Sequence, residues 1–123
     1  MNFFVTGGSR GIGAAIVLQI VREGNDVAFT YMTGEERAEA VVQQAREIDP
    51  ERKCKCYQLD VRDSAAVERV GDQVTEDFED IHVVVNNAGV NGAGLAAHMD
   101  DDEWHRVVDT NLNGVWAVSK FAI

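Results

Sequence analysis

The chain has 123 residues, 46% of them hydrophobic, which is enough for one domain around one core and too little for a second. Its formal net charge of -10 excludes nucleic acid or an anionic membrane surface as the main partner, because both are polyanions. No apolar run approaches membrane-spanning length, and Met1 stands almost directly ahead of the first strand, so no leader is expected and the expected location is the cytoplasm.

The first strand is predicted over Phe3 to Thr6, and it stops at a glycine-rich turn, Thr6-Gly7-x-x-x-Gly11-x-Gly13. Glycines let the backbone bend sharply and approach an anion, and the N–H groups and dipole of the following helix attract it. The spacing differs from the general G-x-G-x-x-G fingerprint, and by itself such a turn could simply link strand to helix. The helix, read from Gly11 to Glu23, places Ile12, Ala15, Ile16 and Ile20 on one side with Val17 and Val21 close by, so it is expected to be largely buried. Gly24 suits the position just past its end.

Asp26 to Tyr31 reads as a second strand, and Thr33-Gly34-Glu35-Glu36 as a capping box in which Thr33 caps and Glu36 reaches back. The helix that follows carries Ala38, Val41, Val42, Ala45 and Ile48 at helical spacing and ends at Asp49-Pro50. Lys53 to Val61 is the third strand, with Lys53 and Lys55 suited to an edge. Cys54 and Cys56 share one face of it and read as reduced structural thiols; no metal site is expected. A third helix starts at Asp63, with Val67, Val70 and Val74 inward, and a fourth strand spans Ile81 to Asn86. Its valine triplet does not alternate, as expected of a parallel strand covered on both faces.

These β-helix-β units with right-handed crossovers predict an α/β, doubly wound parallel sheet in the order 3-2-1-4, a Rossmann-type fold. Strands 1 and 4 then flank the switch point, outside which cofactors bind. The last helix begins at Asp100, with Glu103 three residues on, and shows a stripe of Trp104, Val107, Val108, Leu112 and Val115. Asn111 shares that stripe, and an amide there is expected to be buried and to need partners. No histidine is given a catalytic role.

Four motifs occur in order: the glycine turn, Asp60-Val61, Asn86-Asn87-Ala88-Gly89 and Asp109-Thr110-Asn111-Leu112. Together they resemble the classical short-chain dehydrogenase/reductases over practically the whole chain, especially the β-ketoacyl-[acyl carrier protein] reductase and acetoacetyl-CoA reductase branch. The resemblance implies that Asp60 contacts the adenine amino group and Val61 the ring, and that Asn86 to Gly89 line the adenosine ribose. It also implies that Asn111 is the catalytic asparagine, whose helix distortion supports a water in a proton relay. The implied activity is reduction of a 3-oxoacyl thioester or related carbonyl, with a homo-oligomer, commonly a tetramer, as the assembly.

The nucleotide choice is argued from charge. The end of strand two reads Thr30-Tyr31-Met32-Thr33, without the carboxylate that usually meets a ribose 2′-hydroxyl. With Arg10 inside the glycine turn, this favours NADP(H), Arg10 being the main contact and Ser9 and Thr33 possible hydroxyl partners. Glu35 and Glu36 weigh against that preference. The cofactor-binding set is therefore Thr6, Gly7, Ser9, Arg10, Gly11, Ile12, Gly13, Tyr31, Thr33, Asp60, Val61, Asn87, Ala88 and Gly89.

The chain departs from the family in one respect. Neither tyrosine has a lysine four residues on, since Tyr31 is followed there by Glu35 and Tyr57 by Val61. The serine and Tyr-x-x-x-Lys of the family are absent, and the sequence reaches Ile123 inside an apolar run. The expectation is the N-terminal half of such a domain, a single NADP(H)-binding unit over residues 1–123, inactive alone. The alternative is a non-catalytic nucleotide-binding half-protein that needs a partner chain.

Overall fold

The structure, a computed structural model, describes residues 1–122; Ile123, the end of the apolar run noted above, lies outside the described residues. Four strands, β1 (Asn2–Val5), β2 (Asp26–Tyr31), β3 (Cys54–Gln58) and β4 (Val83–Val85), form one parallel sheet in the order β3-β2-β1-β4. The expected topology is thus the observed one. Helices α1 (Gly11–Arg22) and α2 (Glu35–Ile48) cover one face, where Val17, Val21, Val41 and Val42 pack on Val5, Val27 and Phe29. On the other face lie α3 (Ser64–Phe78) and the last helix, with Val67, Val70, Val74 and Val118 packed on Phe4 and Ala28. Phe4 meets Phe121 edge-on, ring centroids 5.4 Å apart.

Capping decides several boundaries. At the end of α1 the Asn25 and Gly24 amides donate to Ile20 and Val21 carbonyls, a Schellman closure with Gly24 at φ +81°. Asp63 caps α3 by accepting from the Ala66 amide. The expected Thr33 capping box does not form. Gly34, in a left-handed conformation with φ 82°, takes the position directly before α2, and no side chain caps that end. Because only glycine adopts that conformation without strain, the helix starts one residue later than the pattern suggests, and Thr33 is left outside it.

The apolar side of α1 is also rotated from the expected one. Gly13, Val17, Ile20 and Val21 are buried, whereas Ala15 is exposed and Ile12 is 76% exposed at the rim of the first turn. The lysines of β3 are held by α3 rather than standing free. Lys55 pairs with the Asp77 carboxylate at 3.1 Å, and Lys53 donates to the Asp77 carbonyl and lies over the Phe78 ring. The valines of β4 are each half-buried, Val85 toward the α1–α2 layer and Val84 toward the α3 layer.

The last helix is a single rod with a fault in it. α4 (Asp101–Val108), capped by Asp100 on the Glu103 amide, runs into a π turn at Asp109–Asn113 and on into α5 (Gly114–Phe121). The Gly114 amide donates five residues back, to the Asp109 carbonyl. The extra residue shifts the helical phase, so the inward residues are Thr110, Gly114 and Val118. The expected stripe holds only in part: Val107, Val108 and Val115 are half-buried, but Trp104 is 59% and Leu112 66% exposed.

Burial raises the thiol pKa of Cys54 to about 12, helped by neighbouring Cys56, and burial together with Glu39 raises that of Cys56 to about 11. Thiolate is the reactive form, so both thiols are expected to react at least about tenfold more slowly with Ellman's reagent at pH 8 in the folded chain than after denaturation. Equal folded and unfolded rates would contradict this packing of β3.

Candidate functional site

At the carboxyl ends of β1 and β4 the chain leaves in opposite directions, and the gap is closed by a small set of hydrogen bonds. Thr6 follows β1 and is 1% exposed; its Oγ1 accepts from the Asn87 amide at 3.1 Å and the Ala88 amide at 3.0 Å. Asn87 returns the contact, its Nδ2 donating to the carbonyls of Thr6 at 3.1 Å and Gly7 at 2.9 Å. This clamp fixes the glycine turn against the segment after β4. Gly13 lies so close beneath that turn that a side chain there would collide with the Gly7 carbonyl and the Asn87 amide.

Beside the clamp opens a cavity of ≈ 560 Å³, within the usual range for ligand sites. One wall is the turn itself, Gly7 with Ser9 to Gly13; a second is the end of β2, Thr30 to Thr33; a third is Leu59 to Val61; the last is Asn87 to Val90 with Thr110. Every residue assigned to cofactor binding from the sequence lines it except Thr6. That residue lies behind the wall as part of the clamp, because its hydroxyl is spent on two backbone amides. Asn86 is also away from the cavity, its Nδ2 donating to the Ser119 hydroxyl on α5.

The α1 end of the cavity is prepared for an anion. The residue before α1, Arg10, makes no side-chain cap, and the first turn holds no acid, so the first amides of the helix remain free. Sequence reading missed Arg37, which also lines the cavity. Its position was available as a signal: it falls in the first turn of α2, the helix that follows the β2 end of the site. Among the described residues, neither Arg10 nor Arg37 has an ion-pair partner. Two guanidiniums without ion-pair partners therefore line the cavity, and no carboxylate lines its β2 wall.

At the far end, Asp60 is locked to Arg62. Its Oδ2 accepts from Nη2 at 2.6 Å, and its Oδ1 accepts from Nε and from the Arg62 amide, both at 3.0 Å. These charge-assisted bonds hold the Asp60 carboxyl below the usual carboxylate range, against the opposing effect of its partial burial. Tyr31, in the β2 wall, is shifted upward by burial and by Glu35.

Asn111 sits in the middle of the π turn and is exposed rather than buried, which corrects the expectation from periodicity. The wide turn rotates it off the inward stripe, and it finds its partners in a strand-like pair. Nδ2 donates to the Val90 carbonyl and Oδ1 accepts from the Val90 amide, each at 2.8 Å. Both Val90 and Thr110 line the cavity, so the π turn sets the wall next to Asn87 to Gly89.

The short chain dehydrogenase family profile matches residues 2–123. The chain belongs to the short-chain dehydrogenase family. It is 41% identical over 114 residues to 3-oxoacyl-[acyl-carrier-protein] reductase FabG of Staphylococcus aureus (strain Mu50), a match covering 91% of this chain and 45% of the relative. The protein of that name from Escherichia coli (strain K12) is 35% identical over 125 residues, covering 98% and 49%. Among solved structures, a short-chain dehydrogenase from Burkholderia cenocepacia J2315 in complex with NADP superposes with a TM-score of 0.92 at 38% identity, covering 98% of this chain and 48% of that one. The chain thus spans about half the length of the relatives it matches. No helix among the described residues is long and apolar enough to cross a membrane.

The clamp generates one expectation. Thr6→Val keeps the shape of the side chain and removes the acceptor shared by two amides, so chemical denaturation is expected to show a loss of about 1 to 3 kcal/mol. A loss below about 0.5 kcal/mol would mean that water satisfies those amides equally well.

Proposed function

We propose that this chain is the NADP(H)-binding part of a short-chain reductase acting on a 3-oxoacyl thioester or related carbonyl. The observation that carries the reading is the pairing, in one cavity, of a free α1 N-terminus with two guanidiniums, Arg10 in the glycine turn and Arg37 in the first turn of α2, that have no ion-pair partner among the described residues. A dinucleotide carries a diphosphate and, in NADP(H), a 2′-phosphate; the cavity offers a separate cationic feature for each. The amides of Gly11 to Gly13 would hold the diphosphate. Arg10 and Arg37, with the Ser9 and Thr33 hydroxyls, would hold the 2′-phosphate, and Asp60 and Val61 the adenine. When bound, the nicotinamide supplies the hydride. This chain's own contribution is binding and position, with Asn111 fixing Val90 at the cavity wall.

The substrate class is drawn from the names of the similar reductases; a cytoplasmic setting and assembly with further copies are proposed alongside it from the family resemblance. The exposed Trp104, Leu112 and Trp116 along α4 and α5 fit such an assembly. A second reading rests on a sequence observation: no tyrosine here has a lysine four residues on, so the chain on its own is a nucleotide-binding unit that relies on further chain or a partner for chemistry.

Fluorescence titration is expected to show NADPH binding more tightly than NADH. Arg10→Ala removes a charge-assisted contact and should weaken NADPH roughly ten- to hundredfold while leaving NADH nearly unchanged. Equal affinities for the two nucleotides in the unmodified chain would overturn the NADP(H) assignment.

Turnover is the other measurement. Hydride transfer to a carbonyl places negative charge on oxygen, which requires a positioned acid, and an asparagine amide cannot supply that proton at neutral pH. The 123-residue chain is therefore expected to bind NADPH without oxidising it in the presence of acetoacetyl-CoA, followed by absorbance. Turnover that survives repurification and disappears in Asn111→Ala would place a complete site within this chain.

A further inference from the structure

The cavity wall that ends at Val90 is held at two consecutive residues by two side chains of the last helix. Asn111 takes both backbone polar groups of Val90. One residue on, the Asn91 carbonyl accepts from Arg106 Nη2 at 2.7 Å. Arg106 is itself aimed by Glu103, whose Oε1 accepts from Nη2 at 2.9 Å and whose Oε2 accepts from Nε at 3.0 Å, a fork that leaves the guanidinium one orientation. Gly92 adds a third hold by close approach. A Cβ there would stand 2.8 Å from both Glu103 Oε1 and Val107 Cγ2, and the residue has no left-handed φ, so space rather than backbone conformation calls for glycine. The segment then changes character at once. Residues 93–98 are all exposed, and the hydrogen bonds at their end are local, from the His98 and Met99 amides to the Leu95 carbonyl.

We propose that Arg106 is a positioning residue: by fixing the Asn91 peptide against α4, it holds the Val90 wall where the nicotinamide riboside half of the dinucleotide needs it. The proposal rests on the dinucleotide reading above, in which the 2′-phosphate lies at Arg10 and Arg37, the diphosphate at Gly11 to Gly13 and the adenine at Asp60 and Val61. Val90 is the part of the lining left for the other half. Arg106 does not line the cavity, so it touches no part of the ligand and acts through the backbone it grips. A backbone held at a single residue can still pivot about it, and a second hold one peptide further on removes that rotation. The exposed stretch makes the second hold matter, because motion of residues 93–98 would otherwise pass to Val90. Arg106 stops it at Asn91. With its side chain 37% exposed and its ion pair at the surface, the guanidinium does not brace the core, and its loss costs little stability.

Two variants reach the segment through different atoms. Arg106→Met keeps the aliphatic stem and removes the donor, whereas Gly92→Ala pushes the segment away from Glu103 and Val107. The measurement is the dissociation constant, by calorimetry on the complete chain, for NADPH and for adenosine 2′,5′-bisphosphate. The second ligand carries the adenine, the 2′-phosphate and one phosphate of the diphosphate, but no nicotinamide. Each variant is expected to weaken NADPH by about fivefold or more and the bisphosphate by about twofold or less, with the melting temperature of Arg106→Met little changed. A purely structural role would weaken both ligands alike, and that result would overturn the proposal while leaving the NADP(H) reading intact. Unchanged NADPH affinity in either variant would overturn it in the same way. Failure of the unmodified protein to bind either ligand would overturn the dinucleotide reading and this proposal together.

Discussion

The site depends on one junction, the exchange of hydrogen bonds between Thr6 and Asn87. In a parallel sheet the two strands at a switch point send their chains to opposite faces, which leaves a gap and a row of backbone amides without strand partners. Thr6 Oγ1 accepts two of those amides, and the Asn87 side chain takes two carbonyls of the opposing turn. Without this exchange the glycine turn would have no fixed height above β4, and the first amides of α1 no fixed direction. The small residues Gly7, Gly13 and Ala88 follow from it, since the two segments approach too closely for anything larger.

Charge is distributed around that junction with some economy. A chain of net charge -10 repels anions at long range, so an anionic ligand must be met by local groups. The N-termini of α3 and α4 are satisfied internally by Asp63 and Asp100. Those of α1 and α2 carry no side-chain cap, and residues of both first turns line the cavity. Asp60, which could have spoiled the electrostatics of the far wall, has its charge balanced by the Arg62 fork.

The π turn connects the last helix to both ends of the cavity. Its extra residue turns Asn111 out of the helix stripe and toward the backbone of Val90, while Thr110 stays inward at the cavity wall. Directly after the π turn, Gly114 lets Val61 approach. The helix thereby serves the walls at Val61 and at Val90.

Strand order, the alternation of strands and helices, and most of the cavity-lining residues were legible in the sequence, because hydrophobic periodicity and turn residues act over short distances that a linear reading captures; Leu59, Val90 and Thr110 were not assigned to the site. The glycine turn and the Asn87-Ala88-Gly89 segment could be assigned to one end of the sheet from topology alone. Tertiary structure decided the rest. It moved Thr6 from the cavity to the clamp, since the distribution of its hydroxyl contacts depends on a segment eighty residues away. Arg37 proved to line the cavity from the first turn of α2, a placement that depends on how that helix sits beside the end of β2. The rotation of Asn111 and Leu112 off the expected stripe followed from one added residue in a helical turn, and periodicity assumes a constant 3.6 residues per turn. The place of Thr6 is set by the packing of distant segments and that of Asn111 by a local change of helical hydrogen bonding, and residue spacing along the chain encodes neither.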